Sequence, residues 1–334
     1  MKILVTGGNG FLGGAIVRLL LTKGHEVRSF ARGSDPRLAS LGAEEHRGDL
    51  ADQAAVRRAA AGCDMVYHVA AKAGVWGRYR DYFSANVTGT ENVLAACQEF
   101  GIRKLVFTSS PSVVYHGSDQ EGVDESVSYP RKYEADYPAT KARAEKMILA
   151  ANGPDLATVA LRPHLIWGPG DPHLIPRLLD RARRRKLRRI GWANKKVDVI
   201  YIDNAAHAHV LAGEHLEPGS PVAGRAYFLS QGEPVVLWDF LNRILALAGL
   251  PPPKWTFPFW LAWSGGAVLE MLHRVLPLKG EPMITRFVAR QLATAHWFDI
   301  RAAARDFGYQ PLVSTEEGLR RLAISLQESV KEKV

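Results

Sequence analysis

The chain has 334 residues and a formal net charge of +9, with 47% hydrophobic and 23% charged residues. That length can bury a sizeable core in one large domain plus a smaller lobe, and the composition is that of a globular protein without repeats or low-complexity tracts. The positive charge suits acidic ligands or an anionic surface. Nucleic-acid binding is excluded as a reading, because no recognised module or aromatic interleaving accompanies the basic residues. The strongest basic cluster, Arg181 to Arg189, reads as a solvated helix face. Cys63 and Cys97 are the two cysteines, both in apolar contexts. They are expected as buried thiols in a reducing, cytoplasmic compartment. The chain opens directly on an apolar strand, so no signal peptide is expected.

In chain order, the apolar run 2–6 leads into Thr6-Gly7-Gly8-Asn9-Gly10-Phe11-Leu12-Gly13. Leu12, Ala15, Ile16, Leu19 and Leu20 then share one helical face. Strand, glycine turn and helix together form a dinucleotide-binding pattern. Glycines permit a tight turn and close backbone approach to a pyrophosphate, and the helix N-terminus offers free N–H groups to it. Gly7, Asn9, Gly10, Phe11, Leu12 and Gly13 are therefore assigned to the cofactor. A second strand, 26–30, ends in Phe30-Ala31-Arg32. An acid at that end would bind the ribose 2′-OH of NAD, whereas the Arg found there suits a 2′-phosphate. NADP(H) is the expected cofactor, with NAD(H) as the alternative.

A third strand closes at Arg47-Gly48-Asp49-Leu50. A fourth, 65–71, ends in Ala70 and Ala71, small enough to let a cofactor ribose pass. His68 reads as structural. A long helix is expected over 82–100, then a fifth strand from Lys104 ending in Thr108-Ser109-Ser110. Alternation of this kind implies right-handed crossovers and an α/β, Rossmann-type doubly wound parallel sheet with ligands at the strands' carboxyl ends. Gly10, Ala70 and Ser110 all fall there.

Tyr137-Pro138-Ala139-Thr140-Lys141 opens the next helix, and four-residue spacing puts Tyr137 and Lys141 on one face. Carbonyl reduction needs a proton delivered to oxygen, and a phenol near pKa 10 needs help to exchange one at neutral pH. A neighbouring ammonium would supply that help. With a serine ending the fifth strand, the pair resembles the Ser–Tyr–Lys triad of the short-chain dehydrogenases, which implies Tyr137 as general acid or base, Lys141 tuning it, both contacting the cofactor, and Ser110 polarising the carbonyl. Ser109 is the alternative hydroxyl, with Ser112 further back.

Taken together, the Gly7-x-x-Gly10-x-x-Gly13 spacing, the Ser-ended fifth strand and Tyr137-x-x-x-Lys141 resemble the extended short-chain dehydrogenase/reductases. By that resemblance Asp49 and Leu50 contact the adenine, Asn86 in Asn86-Val87-Thr88-Gly89-Thr90 fixes the central strands, and Pro163 and Ile166 line the nicotinamide. Pro111-Ser112 stand where sugar-nucleotide dehydratases carry an Asp-Glu pair, which argues against that chemistry. The missing acid on the second strand argues against an NAD-retaining epimerase. Ala71-Lys72-Ala73-Gly74-Val75-Trp76-Gly77, the Leu161-Arg162-Pro163 to Asp171 segment and the Pro-rich, aromatic C-terminal region resemble the 3β-hydroxysteroid dehydrogenase branch.

Residues 1–165, with a return segment at about 196–230, are expected to form the nucleotide-binding core. Residues 166–195 and 231–334 are expected to form a smaller, mostly helical substrate lobe. The implied activity is NADPH-dependent reduction of a lipophilic 2-alkyl-3-oxoalkanoic (β-keto) acid. A 3β-hydroxysteroid or sterol-4-carboxylate dehydrogenase is the alternative, and a non-catalytic NADP(H) sensor or scaffold is the rival of another class. Lys72 (cofactor or substrate carboxylate), His164 and Trp167 are the substrate-contact candidates. No metal is expected, since the histidines lack ligand spacing.

The uncharged run 255–269 is shorter than the roughly 20 residues a spanning helix needs, and it contains Pro258. It reads as lobe core, as a lid over a lipophilic substrate, or, through 255–276, as a docking face for a membrane or pathway enzyme. A homodimer is expected by resemblance.

Overall fold

The computed structural model describes residues 1–276, 278 and 280–331; positions 277, 279 and 332–334 of the expected substrate lobe lie outside the described residues. Its centre is a seven-stranded sheet. β1 (Lys2–Thr6), β2 (Glu26–Ala31), β3 (Glu44–Arg47), β4 (Met65–His68) and β5 (Lys104–Thr108) are joined by the strands Ala157–Pro163 and Arg225–Leu229. From one edge the order is Arg225–Leu229, Ala157–Pro163, β5, β4, β1, β2, β3, and every pairing is parallel. The order reverses direction between β1 and β4, and Thr6 registers with both Phe30 and His68. All four residues of β4 are buried, as are Ile3 to Thr6. A sheet covered on both faces requires such unbroken apolar runs.

Alternation along β1 divides the core. Ile3 and Val5 join one cluster with Ile16, Tyr67 and Trp167, while Leu4 joins the opposite cluster with Val66, Leu105, Phe107, Cys63 and Cys97. Each large aliphatic so buried contributes about 1.5–3 kcal/mol. α1 (Phe11–Thr22) packs against the helix Ile202–His215.

The long helix expected over 82–100 forms as Tyr79–Phe83 and Gly89–Glu99, joined by a π-turn at Ser84–Thr88 that carries Asn86. Such single π-turns within helices concentrate at functional sites.

A smaller four-stranded sheet, in the order Val235–Val236, Lys196–Val197, His296–Phe298, Gln120–Val123, brings residues near 296 back to the carboxyl end of the main sheet. A two-stranded pairing of Arg189–Ile190 with Thr256–Phe257 sets the basic cluster beside the apolar run. The apolar run is not simply lobe core. Its helix, Phe259–Val275, buries only Ala262, Gly266 and Glu270, a stripe one residue wide. That stripe packs against the helix Arg286–Ala293, where Glu270 accepts from the Arg286 amide at 2.7 Å and from its Nε at 2.9 Å. Trp255, Trp260, Met271 and Val275 are left exposed. Among the described residues no helix is long and apolar enough to cross a membrane.

Candidate active site

The phosphate end of the site is built by backbone. Gly7 sits at φ +70°, and a Cβ there would stand 2.9 Å from the Ala70 backbone. A Cβ at Gly13 would stand 2.1 Å from the Gly7 carbonyl oxygen. Only glycine allows β1, the β4 end and α1 to close up this far. Gly10 caps α1 without a side-chain acceptor, so the first-turn N–H groups stay free for an anion. The Asn9 amide donates to the Gly33 carbonyl at 2.8 Å and accepts from the Ser29 hydroxyl at 2.8 Å. That ties the glycine turn to the segment presenting the exposed Arg32. Asp49 is exposed and Leu50 buried at the end of β3.

β4 is anchored by His68, whose ring nitrogens meet Thr6 Oγ1 at 2.8 Å and Thr90 Oγ1 at 3.0 Å. Burial lowers its pKa to about 3, so it is a neutral structural residue, as expected. Asn86 acts as a clamp: its Oδ1 accepts from the Lys72 amide at 2.7 Å, and its Nδ2 donates to the Lys72 carbonyl at 3.1 Å and to Thr140 Oγ1 at 3.0 Å. The loop after β4 is thereby locked to the helix Asp136–Ala150, which carries both Tyr137 and Lys141.

Tyr137 lies in the first turn of that helix and Lys141 one turn on. Lys141 is buried, donates to the Thr108 carbonyl at 2.5 Å and stands 3.9 Å from the centre of the Phe107 ring. Burial lowers its pKa to about 7, opposed by the charge of Glu145. Desolvation pushes the Tyr137 phenol upward, and its hydrogen bond with Ser110 pulls the other way.

Ser110 caps the turn Pro111–Val114, its Oγ 2.9 Å from Ser112 Oγ. Ser109 points away, with its buried hydroxyl lacking a hydrogen-bond partner. Of the candidate hydroxyls, Ser110 lines the same cavity as Tyr137, and Ser112 supports it.

Ser110 and Tyr137 open on a cavity of about 200 Å³ that is also lined by Pro163, His164, Phe287 and His296. A second cavity of about 980 Å³ shares Val75 and Phe287 with it and runs under the helix Phe259–Val275, past Trp76, His273 and Leu276.

Two candidate substrate contacts require correction. Trp167 is fully buried, packed edge-on against Tyr201 and Phe240, because its short strand pairs with Ile200–Tyr201 and turns the indole into the core. Lys72 lines neither cavity; its ammonium lies 3.8 Å from Asp81 and over the Tyr82 ring. Ile166 is half-buried beside the cavity wall formed by Leu165, whose φ of +41° is rare for a branched residue. Phe287, Gln291 and His296 were not singled out from sequence, since nothing local marks them.

A nicotinamide dinucleotide fits this arrangement. The glycine cradle that any Cβ would fill would take the pyrophosphate, with Arg32 and Asp49 placed to hold the adenosine end and Lys141 and Tyr137 to meet the nicotinamide end. The model of the 3-beta hydroxysteroid dehydrogenase/isomerase family matches residues 4–259. A 2-alkyl-3-oxoalkanoate reductase of Stenotrophomonas maltophilia is 53% identical over 328 residues, covering 97% of this chain and 99% of that protein. The mouse sterol-4-alpha-carboxylate 3-dehydrogenase, decarboxylating, is 35% identical over 340 residues, 99% of this chain and 92% of its own length. Among solved structures, MoeE5 in complex with UDP-glucose and NAD superposes with a TM-score of 0.77 at 24% identity, covering 99% of this chain and 100% of that one. With its parallel sheet, glycine cradle and Tyr137–Lys141 pair, the chain belongs to the 3-beta hydroxysteroid dehydrogenase/isomerase family, nicotinamide-nucleotide-dependent oxidoreductases of the extended short-chain dehydrogenase/reductase type.

Proposed function

We propose that the protein reduces the 3-oxo group of a lipophilic 2-alkyl-3-oxoalkanoic acid to the 3-hydroxy acid with NADPH. The observation that carries this reading is that Ser110 and Tyr137 line one small, largely apolar cavity, which shares Val75 and Phe287 with a larger chamber bordered by the helix Phe259–Val275. The full-length similarity to a reductase of that substrate class supports it. A bound nicotinamide supplies the hydride. Ser110 holds the ketone oxygen, and Tyr137 delivers a proton to it as charge develops there.

With the phenol held up by burial and Lys141 lowered to about 7, the proton rests on Tyr137, ready to be given. Lys141, in protonated form, can restore it afterwards. The preference for NADPH is supported by Arg32 at the end of β2 and by the lack of an acid there.

The same reading includes contact with an anionic lipid surface. Trp255, Trp260, Met271 and Val275 form an exposed apolar edge. The basic cluster borders it, through the Arg189 amide bonded to the Trp255 carbonyl at 3.0 Å and Arg181 bonded to the Met283 carbonyl at 2.9 Å.

The test is nicotinamide absorbance with a long-chain 2-alkyl-3-hydroxy acid and NADP⁺, with NAD⁺ in parallel. This direction avoids a β-keto acid that decarboxylates. Reduction of NADP⁺ in preference to NAD⁺ is expected. Turnover of a 3β-hydroxysteroid or sterol-4-carboxylate alone would move the substrate to that branch, and silence with both despite NADPH binding would point to a sensor.

A further inference from the structure

Reduction of a β-keto acid raises a problem that the site must solve. The carboxylate is only two bonds from the carbonyl carbon, so when Ser110 and Tyr137 hold the ketone oxygen the carboxylate lies in the same cavity. That cavity is about 200 Å³, roughly the volume of seven waters. Its walls carry no arginine or lysine; besides Ser110 and Tyr137, its polar side chains are Ser112, Tyr115, His164, Gln291 and His296. An anion held against these walls beside the ketone oxygen gives up part of its water and needs a partner.

The two imidazoles are built as a unit. His296 Nδ1 lies 2.8 Å from His164 Nε2, with the ring planes within 18° of parallel. The Gln291 carbonyl accepts from His296 Nε2 at 2.9 Å. This carbonyl fixes the proton on Nε2 of His296, leaves its Nδ1 as an acceptor, and so requires Nε2–H on His164. His164 Nδ1 is then a bare lone pair, and it is buried without a hydrogen-bond partner. One added proton would occupy that nitrogen, and the Asp198 backbone beside it favours the protonated ring. The pair is therefore wired for one proton more than it holds.

The surroundings keep that proton out until an anion arrives. Phe298 flanks His164, and Tyr115 and Phe298 close the wall around the two rings. Burial depresses both imidazoles below their ordinary pKa. The charged groups nearby are already engaged: Asp119, facing His296, pairs with Lys195 at 2.5 Å, and Arg290, on the adjoining helix, pairs with Glu134 at 2.8 Å. The Asp198 carboxyl accepts from the Phe298 amide at 2.8 Å, and burial raises it to about 7, so it too exchanges a proton in this range.

We infer that His164 and His296 form the carboxylate subsite, taking up one solvent proton as the substrate acid enters and releasing it with the hydroxy acid. The inference rests on the β-keto acid reading above. It makes the pair a selector for acids over the neutral esters or ketones of the same chain.

The test compares kcat/KM for NADP⁺-dependent oxidation of a 2-alkyl-3-hydroxy acid and of its methyl ester between pH 6 and 8.5, using the whole enzyme. Any titration of Tyr137 affects both substrates and cancels in the ratio, while Lys141 and Asp198, each at about 7, remain in the two histidine variants, so a slope they cause survives there. The acid-to-ester ratio is expected to fall by about tenfold per pH unit at the upper end, the signature of one proton bound with the acid. In His296→Gln and His164→Gln the ratio should drop at least tenfold at pH 6.5 and lose its slope. A wild-type ratio independent of pH, or one that survives both substitutions, overturns the subsite while leaving the reductase reading intact. No turnover of either substrate with NADPH still bound overturns the reading, and the subsite with it.

Discussion

At the scale of single residues the site separates chemistry from support. Tyr137→Phe removes the proton donor but no nucleotide contact that a ring cannot make. Turnover is expected to fall by about 10²–10⁴-fold with NADPH affinity within a few-fold, read by initial rates and nicotinamide fluorescence. Ser110→Ala should cost turnover heavily and Ser109→Ala little, because Ser110 lines the cavity with Tyr137 and Ser109 does not. Asp198 offers a test in a different observable. Burial raises its carboxyl to about 7, so the folded chain holds a proton that the unfolded chain gives up near pH 4. The stability this contributes is fully present below about pH 4 and is lost as pH rises through 7. Asp198→Asn should flatten that part of the curve of urea midpoint against pH. These roles were unevenly legible in the sequence. Tyr137 and Lys141 sit four apart, and a helix makes four apart mean one face. His296 lies 132 positions from His164, and only the small sheet brings them together.

Among elements, two joints hold the site in register. The first is the glycine cradle, where Gly13→Ala would drive a Cβ to 2.1 Å from the Gly7 carbonyl. The turn must open, and nucleotide binding measured by fluorescence titration should be lost while the sheet's circular dichroism remains. The second is the ion pair between the helix Asp136–Ala150 and the strand Ala157–Pro163. Glu145 Oε1 and Oε2 accept from Arg162 Nη2 at 2.6 Å and Nε at 3.0 Å, and Tyr129 donates to the same carboxylate at 2.6 Å. Both side chains are buried. Glu145→Ala should destabilise by about 3–5 kcal/mol, since it strands a buried guanidinium, and replacing both partners by apolar residues should recover much of that loss. The elements of the first half were readable because each carries its own signal: apolar runs for buried strands, glycines for turns. The segment around Trp167 misled for the complementary reason. Its neighbours mark a site-lining stretch, but a two-residue strand alternates its side chains, and the indole falls on the inward side.

Over the whole molecule, the layers around the seven-stranded sheet are closed, while the helix Phe259–Val275 leaves an apolar edge exposed. The apolar edge bordered by the basic cluster should bind vesicles containing anionic lipid in a flotation assay and release them at high salt, and Trp260→Glu with Val275→Glu should abolish binding. Composition flagged that stretch as unusual, but three fates remained open on sequence alone. Which side faces solvent depends on where the helix Arg286–Ala293 packs, and that is decided by Glu270 and Gly266 meeting Arg286. The closed layers carry a consequence for experiment. Cys63 and Cys97 share the cluster that backs the nucleotide cradle, and burial raises both thiols, Cys97 to about 12. Neither can react while that layer stays shut. A thiol-specific dye added to the native enzyme is therefore a clock for breathing of the layer: its slow incorporation counts openings, and a bound dinucleotide should make the clock run slower.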